Sequence, residues 1–205
     1  MRTLVIDTAT RACSVAFFTD GRLVASHYEV IGRGHAERLL PMIADLPHRG
    51  QGDQIVVNVG PGSFTGIRVG VAAARALGFA WGVPVSGYGC LTLVAAMARA
   101  GSAIAVDVVM TGGHGEYFFQ SFNNLGLAIA PAASLSPALI TANANAELIA
   151  GDLAADLQIM LDNRSVVDVL PNAASWHLIT DVAPLVASPV YGRAPDAKMP
   201  KVTAA

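Results

Sequence analysis

An aspartate and two threonines close the first apolar run of the chain, Leu4-Val5-Ile6-Asp7-Thr8-Ala9-Thr10. At a strand end that faces a cleft, Asp7 could hold a hydrated metal ion, and Thr8 and Thr10 could donate to phosphate. The same residue types also shape turns through bonds to their own backbone, and spacing alone leaves both readings open. A second candidate is the loop Val59-Gly60-Pro61-Gly62-Ser63-Phe64-Thr65-Gly66. It follows a strand and opens a helix, where free N–H groups and the positive end of the dipole suit an anion. Arg68 lies in the first turn and could assist. The loop has neither the Gly-Lys-Ser/Thr of a P-loop nor the spacing of a dinucleotide fingerprint. A tight turn capped by Ser63 or Thr65 is the structural alternative. None of the five histidines falls in a His-x-x-x-His or His-Glu-x-x-His spacing, which argues against a metalloprotease site. Ser63 is not in a Gly-x-Ser-x-Gly elbow. His35 opens a helix beside Glu37 and Arg38, and suits a cap or surface role.

The elements that would position these residues follow from periodicity. Strands are expected over 3–8, 14–19 and 23–28, with Asp20-Gly21 as the hairpin turn. A helix over 35–46 presents Leu39, Leu40, Ile43 and Leu46 on one face. A buried strand at 55–59 leads through the glycine loop into a helix over 66–81, stopped by Gly82 and Pro84. A short strand from Val85 and a helix over 90–99 complete the first half. The pattern then restarts, with strands at 103–109, 117–122 and 127–130, weak helical periodicity over 136–149, a strand at 166–169 and a helix over 174–186. This duplicated β-β-β-α-β-α order describes the actin–hexokinase–sugar kinase architecture, so the expected class is α/β. Residues 1–100 would form an N-terminal subdomain and 101–188 a smaller second one. Residues 189–205 would be a tail whose return to the first subdomain is left open.

The helix after the glycine loop carries Gly66, Gly70, Ala74 and Gly78 at every fourth position, flanked by Ala73 and Leu77. Interior glycines cost about 1 kcal/mol each against alanine, so a close neighbour should compensate. Only Arg68 and Arg75 are charged, and an almost wholly apolar helix is buried on more than one side. Its own core or a partner must cover it. The expectation adopted here is that the stripe faces a helix of another chain.

Composition narrows the function classes. Of 205 residues, 53% are hydrophobic and 14% charged, enough for a sizeable core, and the formal net charge of −2 comes without a basic block. A protein that binds nucleic acid on its own usually shows a basic patch, so RNA contact is expected only through a partner. Cys13 and Cys90 sit in apolar runs and suit buried free thiols in a reducing compartment. The N-terminus is too soon interrupted by charge for a signal peptide. The apolar run 69–81 is shorter than the roughly 20 residues of a membrane span. The expected location is the cytoplasm. Trp81 and Trp176 suit core positions.

Three segments carry a family resemblance: Ile6-Asp7-Thr8-Ala9-Thr10, Gly34-His35-Ala36-Glu37-Arg38-Leu39-Leu40-Pro41, and the loop and helix start from Gly60 to Gly70. Together with Pro189-Val190-Tyr191-Gly192-Arg193 and Lys198 they resemble the TsaB (YeaZ) family, closely over residues 1–100 and loosely beyond. The resemblance implies an actin-like ATPase (ribonuclease H-like) fold of two similar subdomains. It also implies a non-catalytic role beside TsaD, the paralogue that transfers threonylcarbamoyl to adenosine 37 of tRNA. TsaE, an ATPase, would join the assembly, tRNA would be met only through it, and a homodimer would form when TsaD is absent. The implied interface is the loop and helix: Gly62, Ser63, Phe64, Thr65, Gly66, Arg68, Gly70, Ala73, Ala74, Leu77 and Gly78. The catalytic paralogue's metal positions fall here at Cys90 and Val94, which make no site. No cofactor is therefore expected, with ATP or ADP only at a partner site. Where the family has an Asp-Ala-Arg-type strand start, this chain has Gly112-Gly113-His114, similar to the phosphate-facing turn of the catalytic paralogue; a longer hairpin with no ligand is the alternative. With Asp7, Thr8 and Thr10, Gly112 and Gly113 would form a vestigial nucleotide cleft. The alternatives are ATP-dependent phosphotransfer, and the glycoprotease-like peptidase activity of the family's older label.

Overall fold

The computed structural model describes residues 1–113, 115–152 and 164–192. The first half builds β1 (Arg2–Asp7), β2 (Ala12–Thr19), β3 (Arg22–Val30), α1 (His35–Ala44), β4 (Gln54–Gly60), α2 (Phe64–Trp81), β5 (Val85–Gly89) and α3 (Cys90–Arg99). The second builds β6 (Val106–Gly113), β7 (Glu116–Phe122), β8 (Ala133–Leu135), α4 (Pro137–Asn143), β9 (Leu148–Gly151) and β10 (Ser165–Asp168), followed by a 3-10 helix (Ala173–Ile179) and β11 (Leu185–Val186). The first sheet has the order β11-β5-β4-β1-β2-β3 and the second β10-β9-β6-β7-β8. Setting β11 aside, the two orders superimpose strand for strand. In each, an antiparallel meander joins a parallel trio: β1 with β4 and β5, and β6 with β9 and β10. This is the duplicated α/β arrangement of the actin-like fold.

The parallel strands are buried on both faces and so read as near-continuous apolar runs. Leu4, Val5 and Ile6 of β1 and Ile55 and Val57 of β4 are wholly buried. One face of the first sheet is covered by α1 and α2, whose Leu39, Met42, Ile43, Ile67, Val71 and Ala74 join the main core. Helix α3 lies between the sheets. Its Leu91, Val94 and Ala95 pack into the core of the second sheet, and its Leu93 packs with Val5, Phe18 and Tyr88 of the first.

Several expectations are corrected. Residues 173–187 belong with the first sheet rather than the second subdomain. Ala173 N donates to Ser14 Oγ at 3.0 Å, Trp176 meets Phe18 edge to face, and β11 pairs with β5. The segment read as a helix over 174–186 is therefore a 3-10 turn and an edge strand, because its apolar residues fill gaps beside β2 and β5. The third strand of the second meander is 133–135, not 127–130. There the Asn123 side chain accepts from the N–H groups of Leu125 and Leu127 and holds a loop. The helix expected over 136–149 ends at Asn143, and Leu148–Gly151 is a buried parallel strand, too short to announce itself by period.

Candidate functional site

Strands β1, β4 and β5 end side by side, and open α/β sheets use such carboxyl ends for their ligands. Here three side chains meet. Asp7 is 1% exposed; its Oδ2 accepts from Asn58 Nδ2 at 2.7 Å and from Tyr88 OH at 2.7 Å, and its Oδ1 accepts from Ala9 N at 3.2 Å. Asn58 Oδ1 in turn accepts from Gly60 N at 2.8 Å. Burial pushes the Asp7 carboxyl above its ordinary range, against the pull of the bonds from Asn58, Tyr88 and Ala9. Both thiols are also raised by burial, Cys13 to about 11 and Cys90 well above its ordinary value, so neither is a thiolate at neutral pH.

The hydroxyls expected to meet phosphate are engaged with the chain's own backbone. Thr8 Oγ1 donates to Gly66 O at 2.7 Å, and Thr10 Oγ1 accepts from Ala12 N at 3.2 Å. The glycine loop lies directly on this turn, with Ser63 N donating to Ala9 O at 2.7 Å. A Cβ at Gly62 would stand 2.1 Å from Ala9 O, and one at Gly66 2.1 Å from Thr8 O. Asp7, Thr8 and Thr10 are thus buried structural groups, which corrects the cleft reading. Gly112 and Gly113 close the β6–β7 hairpin, Gly112 against the Glu116 carbonyl, while Asp152 clamps Thr111 beside them. No described hydrogen bond joins that hairpin to the Asp7 cluster, and His114 lies outside the described residues. His35 is a core residue: it is buried, with Nε2 against Ala12 O at 3.2 Å.

Helix α2 is capped by Ser63 Oγ, which accepts from Gly66 N, and stopped by left-handed Gly82. Its small-residue stripe faces inward. A Cβ at Gly70 would stand 2.3 Å from Thr8 Oγ1 and one at Gly78 2.2 Å from Val85 Cγ2, while Ala74 is wholly buried. The close neighbour that compensates for these glycines is the chain's own sheet. Gly66, Gly70, Ala74 and Gly78 therefore do not form an external interface. The opposite side of the helix is open: Phe64, Thr65, Arg68, Ala72, Arg75, Ala76 and Phe79 are exposed, Phe79 to 91%. Ala73 and Leu77 lie at the margin, half-buried. A groove of about 300 Å³ runs beside Leu77 and Trp81, between them and Leu40, Ile43, His48 and Arg49.

At the N-terminal end of this face the Arg68 guanidinium carbon lies 3.7 Å from the Phe64 ring centroid, and Arg68 Nε donates to Tyr191 OH at 2.9 Å. The residues that sequence reasoning missed are Asn58, Tyr88, Phe79 and the part played by Tyr191. An asparagine inside the apolar strand Val56-Val57-Asn58-Val59 was the one legible signal, since a buried amide needs a partner. Among the described residues no group of three His, Cys, Asp or Glu could hold a metal ion, and no helix is long and apolar enough to cross a membrane.

A family model described as "TsaD: tRNA N6-adenosine threonylcarbamoyltransferase" matches residues 27–158. The "tRNA threonylcarbamoyladenosine biosynthesis protein TsaB" of Escherichia coli is 37% identical over 128 residues, 60% of this chain and 55% of that protein. The chain thus spans about half the length of this relative. An uncharacterised protein of Mycobacterium tuberculosis is 33% identical across 95% of this chain and 93% of its own. The solved structure of YeaZ from Pseudomonas aeruginosa superimposes with a TM-score of 0.79 at 30% identity, covering 93% of this chain and 99% of that one. With the paired sheets and the glycine loop seated on the β1 turn, these matches show that the chain belongs to the TsaB (YeaZ) family.

Proposed function

We propose that this chain is a non-catalytic partner subunit of the machinery that makes N6-threonylcarbamoyladenosine on tRNA. It supports a TsaD-family transferase by docking through the outer face of α2. The observation that carries this reading is the two-sidedness of α2. Its inner face is consumed by the sheet, while its outer face carries two arginines, no acid and a phenylalanine that is 91% exposed. Two exposed phenylalanines on one helix, Phe64 and Phe79, give this face apolar area that a partner chain would cover. The polar groups at the end of β1 support the non-catalytic part. Asp7 has its oxygens committed to Asn58, Tyr88 and Ala9, and Cys90 and Val94 are both wholly buried.

In the absence of the transferase, two copies would pair through the same face. An ATPase of the TsaE type and the tRNA would be met only in the assembly. The test is co-purification of the full chain with the TsaD-family protein of the same organism, with and without Phe79→Asp. Retention of the complex by wild type and its loss in the variant are expected. A chain that never retains the transferase, yet hydrolyses ATP or a peptide alone, would overturn the reading.

A further inference from the structure

The C-terminal segment reaches α2 by a defined route. After β11, Val190 N donates to Val59 O at 2.8 Å, beside the glycine loop. Gly192 lies so close to Phe118 of β7 and Pro61 that a Cβ there would stand 2.6 and 3.0 Å from them. Between these anchors Tyr191 packs on Phe64, with ring centroids 5.1 Å apart, and its hydroxyl oxygen accepts a hydrogen bond from Arg68 Nε. Arg68 is thereby held over Phe64 from one side and by a hydroxyl from the other. Its two terminal nitrogens make no hydrogen bond among the described residues. Arg68 is the fifth residue of α2, near its N-terminal end, where the helix dipole gives a cation no stabilisation. A guanidinium fixed in plane with a free fork matches a carboxylate in two-point geometry. Helix α2 contains no acid that could be that carboxylate.

We infer that Tyr191 is a positioning residue for partner recognition: with Phe64 it aims the Arg68 guanidinium outward, and the docking chain carries a carboxylate opposite it. This rests on the docking role of α2 proposed above. The tail thus completes the recognition surface, and the α2 sequence alone does not contain it.

The experiment measures the affinity of the full chain for the TsaD-family protein at low and high salt, with melting temperatures of each variant. Tyr191→Ala and Arg68→Gln are each expected to weaken binding by about tenfold, and Tyr191→Phe, which keeps the ring contact, by about threefold. Arg68→Gln should also flatten the salt dependence. Because Tyr191 acts through Arg68, adding Tyr191→Ala to Arg68→Gln should produce no further loss. Unchanged affinity in Tyr191→Ala, or an effect fully additive with Arg68→Gln, overturns the inference. Phe79→Asp separates the two levels. If it abolishes binding while Tyr191→Ala does nothing, the tail inference fails and the docking role stands. If neither variant matters, the docking role fails and the inference with it.

Discussion

Replacing Gly70 by alanine puts the inward face of α2 to a quantitative test. The new Cβ would stand 2.3 Å from Thr8 Oγ1, where ordinary contact begins near 3.4 Å. Thr8 cannot swing aside freely, because it is β-branched, wholly buried and bonded to Gly66 O. Three contributions set the outcome. Alanine gains about 1 kcal/mol over glycine inside a helix. Overpacking costs about 1–3 kcal/mol, and breaking the Thr8 bond costs about 1 kcal/mol more. The net loss is roughly 1–3 kcal/mol. For a chain of this size that lowers the melting temperature by about 2–12 °C. Ala76→Gln, on the exposed side of the same helix, should stay within about 0.5 kcal/mol of wild type. Thermal and urea unfolding of both variants, with sedimentation to follow association, make the comparison. A Gly70→Ala protein as stable as wild type but altered only in association would refute the inward placement and restore the stripe as an external surface.

The remaining tests address the buried cluster and the open face. Tyr88→Phe removes a donor from the buried Asp7 carboxyl and should cost about 1.5–3 kcal/mol in urea unfolding. A loss below a few tenths would mean that the bond contributes little. Asp7 binds its proton more tightly when folded than when unfolded, because burial raises it. Its contribution to stability is therefore greatest below the ordinary carboxylate value of about 4 and declines as pH rises through the raised native value. Asp7→Asn removes that decline, so its stability relative to wild type should climb with pH above about 4; a flat or falling difference would contradict the assignment. Phe79→Asp should leave the melting temperature within about 2 °C of wild type, since the ring is exposed, while weakening association by about tenfold or more. A sharp fall in melting temperature would show that Phe79 supports the fold.

The first meander, the parallel strands β1, β4 and β5 and helices α1 to α3 were legible from periodicity because each buries a simple pattern: unbroken apolar runs for β1 and β4, a repeating face for α1. The duplicated order was legible for the same reason, and it carried the fold class. Less legible were the short elements of the second half, where four residues of β9 are too few to distinguish strand from helix. The 3-10 turn over 173–179 was equally hidden, since its residues are chosen by the gap they fill on the first sheet. At the candidate site, Asp7, Thr8 and the glycine loop could be singled out by type. What they do could not, because the groups that engage them, Asn58, Tyr88 and the Gly66 carbonyl, come from 51 to 81 residues away. The α2 stripe shows the limit most directly. A glycine at every fourth position states that something approaches closely, and the requirement is sterically the same whether that neighbour is another chain's helix or the chain's own β-sheet. Only the tertiary structure, by laying Thr8, Val57 and Val85 under Gly70 and Gly78, decided which side of the helix is closed and which is open.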